Sequence, residues 1–346
     1  MIERAAGLWG KAGQRSLARS ALVEAVAQLT RALDQIATLP GTPALRREQI
    51  KLQIALVNPL MHVKGYAAAE TRAATERARL LIEQAEALGE PPEDPLLLFR
   101  VLNAFWAANL MAFNGDACRD LAAQYLALAE KQRATAPLLT GHRMMGISLL
   151  QTGDIAEARE HLDKALPLID PAEHPPLATR FSSEAGVLVL SFRSRALWVL
   201  GYPEAALRDA DNALRNARES GQAAPVMIAL SHAPFAYTLC GNWAAAVAQA
   251  QELVLLAEEK GARFWKEAGM VNQGWVLALT GRASDATEIL TAPGTTGTTL
   301  NTPLRLSYLA RAYAELGQFE EAWRCIGEAM AAAETTKEKW CEAEIH

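Results

Sequence analysis

Apolar residues along this chain recur three, four and seven positions apart, over stretch after stretch, and β-branched runs are scarce. That period places one greasy stripe on each of a series of helices. The stripes are punctuated by a recurring turn. It reads Gly153-Asp-Ile-Ala-Glu-Ala158, Gly201-Tyr-Pro-Glu-Ala-Ala206, Gly241-Asn-Trp-Ala-Ala-Ala246, Gly281-Arg-Ala-Ser-Asp-Ala286 and Gly317-Gln-Phe-Glu-Glu-Ala322, with weaker copies at Gly65 and Gly115. The repeat length is about forty residues. Each element of the turn has a physical role. Glycine ends one helix in the left-handed conformation, and an acidic residue often enters the first turn of the next, facing the positive end of its dipole. Pro203 falls at a helix start, where its missing N–H costs nothing. The alanine five positions after glycine is small enough for two helices to touch.

The rest of the unit follows in register. Met145, Gly146 and Leu149 precede Ala158, and Leu162 and Ala165 follow it, with Pro171 beyond. Met270, Gly274, Leu277, Ala286 and Leu290 repeat the pattern, as do Leu306, Leu309, Ala310, Tyr313, Gly317, Phe319, Ala322, Ile326 and Ala329. This is the tetratricopeptide arrangement of large, small and large residues on paired helices. A lone pair leaves part of its stripe wet, and stacking the next pair covers it. The expected fold is all-α: a right-handed α-solenoid of tetratricopeptide-like hairpins. We expect a single array over 1–346, about seven to eight hairpins. Longer connections are expected at Leu39–Pro43, Gly89–Pro95, Asp170–Pro176 and Ala292–Thr299, the last being the most flexible by composition. Ile2–Ala18 reads as helical from the outset, and Lys337–His346 reads as an unfinished helix. The chain is therefore expected to be a fragment of a larger protein.

Composition narrows the function. The chain is 51% hydrophobic and 21% charged, ample for a large core and ordinary for a soluble protein. A net charge of −5 disfavours general nucleic-acid binding. The charge is uneven, with Arg4, Lys11, Arg15, Arg19, Arg31, Arg46 and Arg47 near the start, and eight glutamates between 315 and 346. Cys118, Cys240, Cys325 and Cys341 are far apart and read as small buried groups in a reducing compartment. With no signal segment or apolar run of spanning length, a cytoplasmic location is expected.

The runs Trp9–Leu33 and Lys337–His346 resemble the C-terminal repeat region of bacterial proteins that join a class III adenylate/guanylate cyclase domain to an AAA-type ATPase domain. The resemblance implies a regulatory or partner-binding region of a signalling protein, with catalytic domains elsewhere. No GxxxxGK[ST] loop and no metal-binding aspartate pair occurs here, so none of that family's catalytic residues falls on this chain. Similar arrays also occur in ATP-dependent transcription activators, which makes a ligand-sensing repeat domain the alternative reading.

No catalytic residue, metal ligand or cofactor is expected. His62, His142, His161, His174, His232 and His346 form no HExxH and no cluster with cysteine. Trp243 and Phe319, two residues past their glycines, are expected in the core. First helices of such hairpins line the concave surface. By register this surface presents Phe105, Asn109, Arg143, Ser191, Arg195, Trp198, Ser231, Phe235, Trp275, Ser307 and Arg311. Arginine, serine and aromatic groups suit an extended peptide or partner helix, arginine pairing with carboxylates. Replacing Arg143 and Arg195 with alanine is expected to spare the fold and weaken an acidic partner. The expected partner is a protein, a peptide or another domain of the parent protein, with neither nucleic acid nor membrane involved.

Overall fold

The computed structural model describes residues 2–66, 68–90, 96–169, 176–292 and 299–345. Among them are sixteen α-helices, two short 3₁₀ turns and no β-strand. The chain divides into two compact units. One comprises residues up to Ala108 together with 258–264; the other comprises 109–257 and the chain from Trp265 onward.

The first unit contains α1 (Ile2–Ala18), α2 (Leu22–Ala37), α3 (Pro43–Lys64), α4 (Ala69–Ala87) and most of α5 (Leu96–Met111). Thr42 caps α3 by accepting the Leu45 N–H at 3.3 Å, and Pro43 sits in the first turn, where a donor would be unused. Helices α1 and α2 pack closely because Gly13 lies under Leu29, where a Cβ would come within 2.6 Å of that side chain. Ile50 and Ile54 of α3, Ala78, Leu81 and Ile82 of α4, and Leu97 and Val101 of α5 form one apolar cluster.

The second unit contains α6 (Gly115–Gln132), α7 (Thr135–Thr152), α8 (Ile155–Ala165), α9 (Pro176–Val199), α10 (Pro203–Glu219) and α11 (Ala223–Leu239). Beyond these come α12 (Trp243–Glu259), α13 (Arg263–Leu279), α14 (Ala283–Thr291), α15 (Thr302–Glu315) and α16 (Phe319–Thr336). Every one of the five clear turn glycines has positive φ, from 73° at Gly317 to 96° at Gly153. At Gly153 the N–H reaches back to the Leu149 and Leu150 carbonyls and closes α7. The alanines five positions later are buried, as the spacing predicts.

Two local expectations change. Gly115 does not end a helix; it begins α6, whose cap is Asn114, accepting the Ala117 N–H at 3.2 Å. Glycine is needed there because a Cβ would sit 2.9 Å from Thr152 Cγ2 and 3.3 Å from the Thr336 carbonyl. Trp243 and Phe319 are 44% and 63% exposed rather than in the core. Their position is the first of a second helix, and Ile155 and Ala283 use it to pack inward. The expected flexible loop at 292–299 lies mostly outside the described residues, as do most of the 89–95 and 170–176 connections and His174.

The largest departure is the final stretch. Helix α16 stops at Thr336, and Lys337 adopts φ 65°, a left-handed conformation costly for a non-glycine residue. The chain then runs irregularly to a 3₁₀ turn at Glu342–Glu344. It does so because Trp340, Cys341 and Ile345 are buried in a cluster with Phe235, Trp275, Leu304 and Tyr308, a burial that continuing the helix would forgo.

Candidate functional site

In the second unit the first helices of successive hairpins pack side by side, α7 against α9 and α9 against α11. Each carries a ring or a polar group onto a shared surface. Arg195 of α9 is 3% exposed, and its guanidinium lies 4.1 Å from the Phe235 ring centroid and 5.1 Å from that of Phe192. Phe235 meets Trp275 edge-on at 4.7 Å, and Trp275 meets Tyr308 at 6.0 Å. The result is an aromatic row across α9, α11, α13 and α15 with one cation stacked at its end.

Polar atoms of this surface are left without hydrogen-bond partners: Arg195 Nε, Ser191 Oγ, Gln151 Nε2, Trp275 Nε1, His232 Nδ1 and Asn301 Oδ1. Buried polar groups are ordinarily paired, so such a concentration marks a place where another molecule's acceptors and donors fit. Arg195 donates one weak bond, to Gln151 Oε1 at 3.4 Å. Burial pulls its guanidinium down to about 10, despite the opposing field of Glu338. Burial pushes His232 down to about 3, the Arg195 charge adding to the effect, so the imidazole is neutral at physiological pH.

The expected groove residues divide. Ser191, Arg195, Phe235 and Trp275 contribute to the row or its orphaned polar atoms. Arg143, on α7, is buried. Trp198 is instead a strut: its indole N–H bonds the Leu239 carbonyl at 3.2 Å, tying α9 to the end of α11. The Ser231 carbonyl accepts from Asn272 Nδ2 at 3.0 Å, and the Ser231 and Ser307 hydroxyls bond their own helices' carbonyls at 2.7 and 2.8 Å. Arg311 is exposed and pairs with Glu315 on its own helix. Asn109 begins the second unit, its carbonyl taking the Asn114 N–H at 3.0 Å. Phe105 belongs to the first unit, packed against that unit's apolar cluster. The expected spared fold on truncating Arg143 and Arg195 gives way too, since both are buried and alanine would leave polar-walled voids.

Sequence reasoning missed Gln151, His232, Asn301, Tyr308, Glu338 and Trp340. It also missed the contact between His142 and His161, whose Nδ1 atoms lie 3.1 Å apart. Burial lowers both histidines, and their mutual repulsion lowers His142 further. Among the described residues no three His, Cys, Asp or Glu side chains lie together so as to hold a metal ion. No described helix is long and apolar enough to cross a membrane.

Two segments, 139–164 and 303–334, match the tetratricopeptide repeat family model; they fall on α7–α8 and α15–α16. No curated protein matches the sequence significantly. Among solved structures the chain is similar to a Rap protein complexed with competence and sporulation factor. The TM-score is 0.62 at 12% identity, covering 97% of this chain and 99% of that one. It is also similar to the apo form of the quorum sensor NprR from B. thuringiensis, with TM-score 0.56 and 12% identity over 96% of this chain and 88% of the other. NprR in complex with its cognate peptide NprX gives 0.53 and 13% over 86% and 81%. At such identities the likeness concerns the fold alone, and the fold is an all-α, tetratricopeptide-like solenoid.

Proposed function

We propose that this chain is a non-catalytic regulatory module that binds a protein or peptide on the inner surface of its second unit. The observation that carries the reading is Arg195, a buried cation stacked on Phe235 with an unsatisfied Nε, among other buried polar atoms with no partner. Such a surface offers stacking to a ring and charge-assisted donors to a carboxylate, the two features by which extended peptides are held. Support of a second kind comes from the similar solved structures, two of which hold a competence and sporulation factor or a cognate peptide.

Ser191, Arg195, Phe235 and Trp275 are the contacting residues in this reading. Trp198 and Ser231 set the helices behind them, and Arg143, Ser307, Asn109, Arg311 and Phe105 are assigned no contact with the partner. The resemblance of Trp9–Leu33 and Lys337–His346 to the repeat region of cyclase–ATPase proteins extends the proposal. The module is then one array over 1–346 within a larger cytoplasmic signalling protein, regulating a catalytic domain carried elsewhere.

The test is comparative affinity capture from the source cell with the wild-type chain, Arg195→Lys and Trp275→Phe. Lysine keeps the charge but loses the planar stacking face, so the fold is spared and recognition is not. A partner retained by the wild type and depleted with both variants is expected. Identical captured sets from all three would overturn the assignment.

A further inference from the structure

Residues 337–345 fold back, partly as a turn and a 3₁₀ helix, onto the helices of the second unit that carry the aromatic row. The main chain docks first: the Lys339 N–H donates to the Gln151 carbonyl at 2.8 Å, across from the end of α7. Lys339 passes so near Gly153 that a Cβ there would come 3.1 Å from its own Cβ. A carboxylate follows. Glu338 is fully buried, and both its oxygens accept the Asn301 N–H at 3.0 Å, while Oε1 also accepts from Trp340 Nε1 at 3.0 Å. A ring completes the set: Trp340 lies 4.4 Å from the Arg195 guanidinium and meets Phe235 at 6.1 Å. Arg195 thus contacts three rings, Phe192 and Phe235 of the scaffold and Trp340 of the segment.

The fit is incomplete. With the segment in place, Arg195 Nε, Gln151 Nε2 and Trp275 Nε1 still have no acceptor, and Ser191 Oγ has no partner. Unpaired donors on Gln151 and Trp275, beside a cation that has an unpaired N–H of its own and takes its countercharge from Glu338 of the segment, describe a surface shaped for more than its present occupant.

We infer that residues 337–345 are an internal stand-in for the partner. The surface takes an extended peptide from a separate protein that carries a carboxylate two residues ahead of an aromatic side chain, and this peptide displaces the segment. The inference rests on the peptide-binding reading above and adds the ligand's chemistry and its internal competitor. A chain whose surface is mostly self-occupied binds with an affinity reduced by the fraction that is open. The segment therefore sets a threshold that a partner must exceed.

The probe is a synthetic fluorescent peptide with the sequence of residues 337–345 and C341S, beside a scrambled control. It is titrated into the full chain and into the full chain bearing Glu338→Ala and Trp340→Ala, with cooperative melting checked for each. The double variant is expected to bind at least about tenfold more tightly than the wild type, the scrambled peptide not at all, and Arg195→Lys added to the double variant is expected to abolish binding. Equal affinity for wild type and double variant, or binding indifferent to Arg195, overturns the inference.

A second readout needs no variant. Cys341 is buried within the segment, so its modification by a thiol reagent, mapped by peptide mass, reports release. Unlabelled probe is expected to speed that modification in the wild-type chain, and an unchanged rate at high probe concentration overturns the inference even if the double variant fails to fold. Partner capture that still depends on Arg195, with no binding of the probe, sinks this inference and leaves the binding-module reading standing. Loss of both dependences sinks both.

Discussion

Arg195, Glu338 and His232 show how burial decides chemistry at single residues. Burial pushes Glu338 up to about 7, against the pull of Trp340, Asn301 and Arg195. A carboxyl whose folded value lies above its unfolded one stabilises the fold while protonated, and that contribution is lost as pH rises from about 4.5 towards 7. Glu338→Gln should therefore match the wild type near pH 4 and exceed it near pH 8. The gain is at most about 3 kcal/mol, because lifting the segment off returns the carboxylate to water. Urea melts at the two pH values check this. His232 runs the other way. Its folded value of about 3 lies below the unfolded value, so stability present at neutral pH falls as the pH drops below about 6.5. His232→Phe, placing a ring between Phe192 and Phe235 where the imidazole now sits, should flatten that acid limb in the same melts. Neither effect was legible in the sequence, since the environment of Glu338 draws on Asn301, 37 positions away, and on Arg195, further still.

Element by element, the sequence was far more informative, because a hairpin is a local object. Gly146, Ala158 and Leu162 recur as Gly274, Ala286 and Leu290 at identical offsets. The structure explains the recurrence. A Cβ on Gly146 would come 2.7 Å from Leu162 Cγ and 3.1 Å from the Ala158 carbonyl, and one on Gly274 would come 2.7 Å from Leu290 Cδ2. The small residue of the first helix thus receives the leucine of the second. Gly146→Ala and Gly274→Ala should each cost about 1–3 kcal/mol, although alanine is the better helix former in isolation. A stabilising effect in thermal melts of both would show that helix propensity outweighs the close approach. Ala158→Glu, at a site with no exposed surface, should cost about 3–5 kcal/mol. Urea melts of this variant that coincide with the wild type would contradict the placement. Periodicity misled where it had least to hold on to: at Trp243 and Phe319, because the same first-turn position packs inward at Ile155 and Ala283 but outward at these two, and after Thr336, because tertiary burial outweighed helical pattern.

Across the molecule, the register of first helices drew attention to Arg195, Phe235 and Trp275, whose side chains stack in sequence. It had no means of separating them from Trp198 and Ser231, which bond between helices, or from Ser307, whose hydroxyl bonds its own helix. Nor could it show that residues 337–345 return to Gln151, since nothing in local spacing encodes a contact between residues 188 positions apart. The Gln151 carbonyl lies in the last turn of α7, among those that no later amide of the helix can reach, and the Lys339 N–H supplies the missing donor. The segment therefore works as a stitch across a helix end. Cut it, by a competitor or by Trp340→Ala, and α7 should fray: amide hydrogens of its final turn should exchange with solvent faster, while those in the middle of the helix keep their protection. Arrival of a partner at the aromatic row would then be felt one turn away, at Thr152 and Asp154, where Arg119 of α6 is bound.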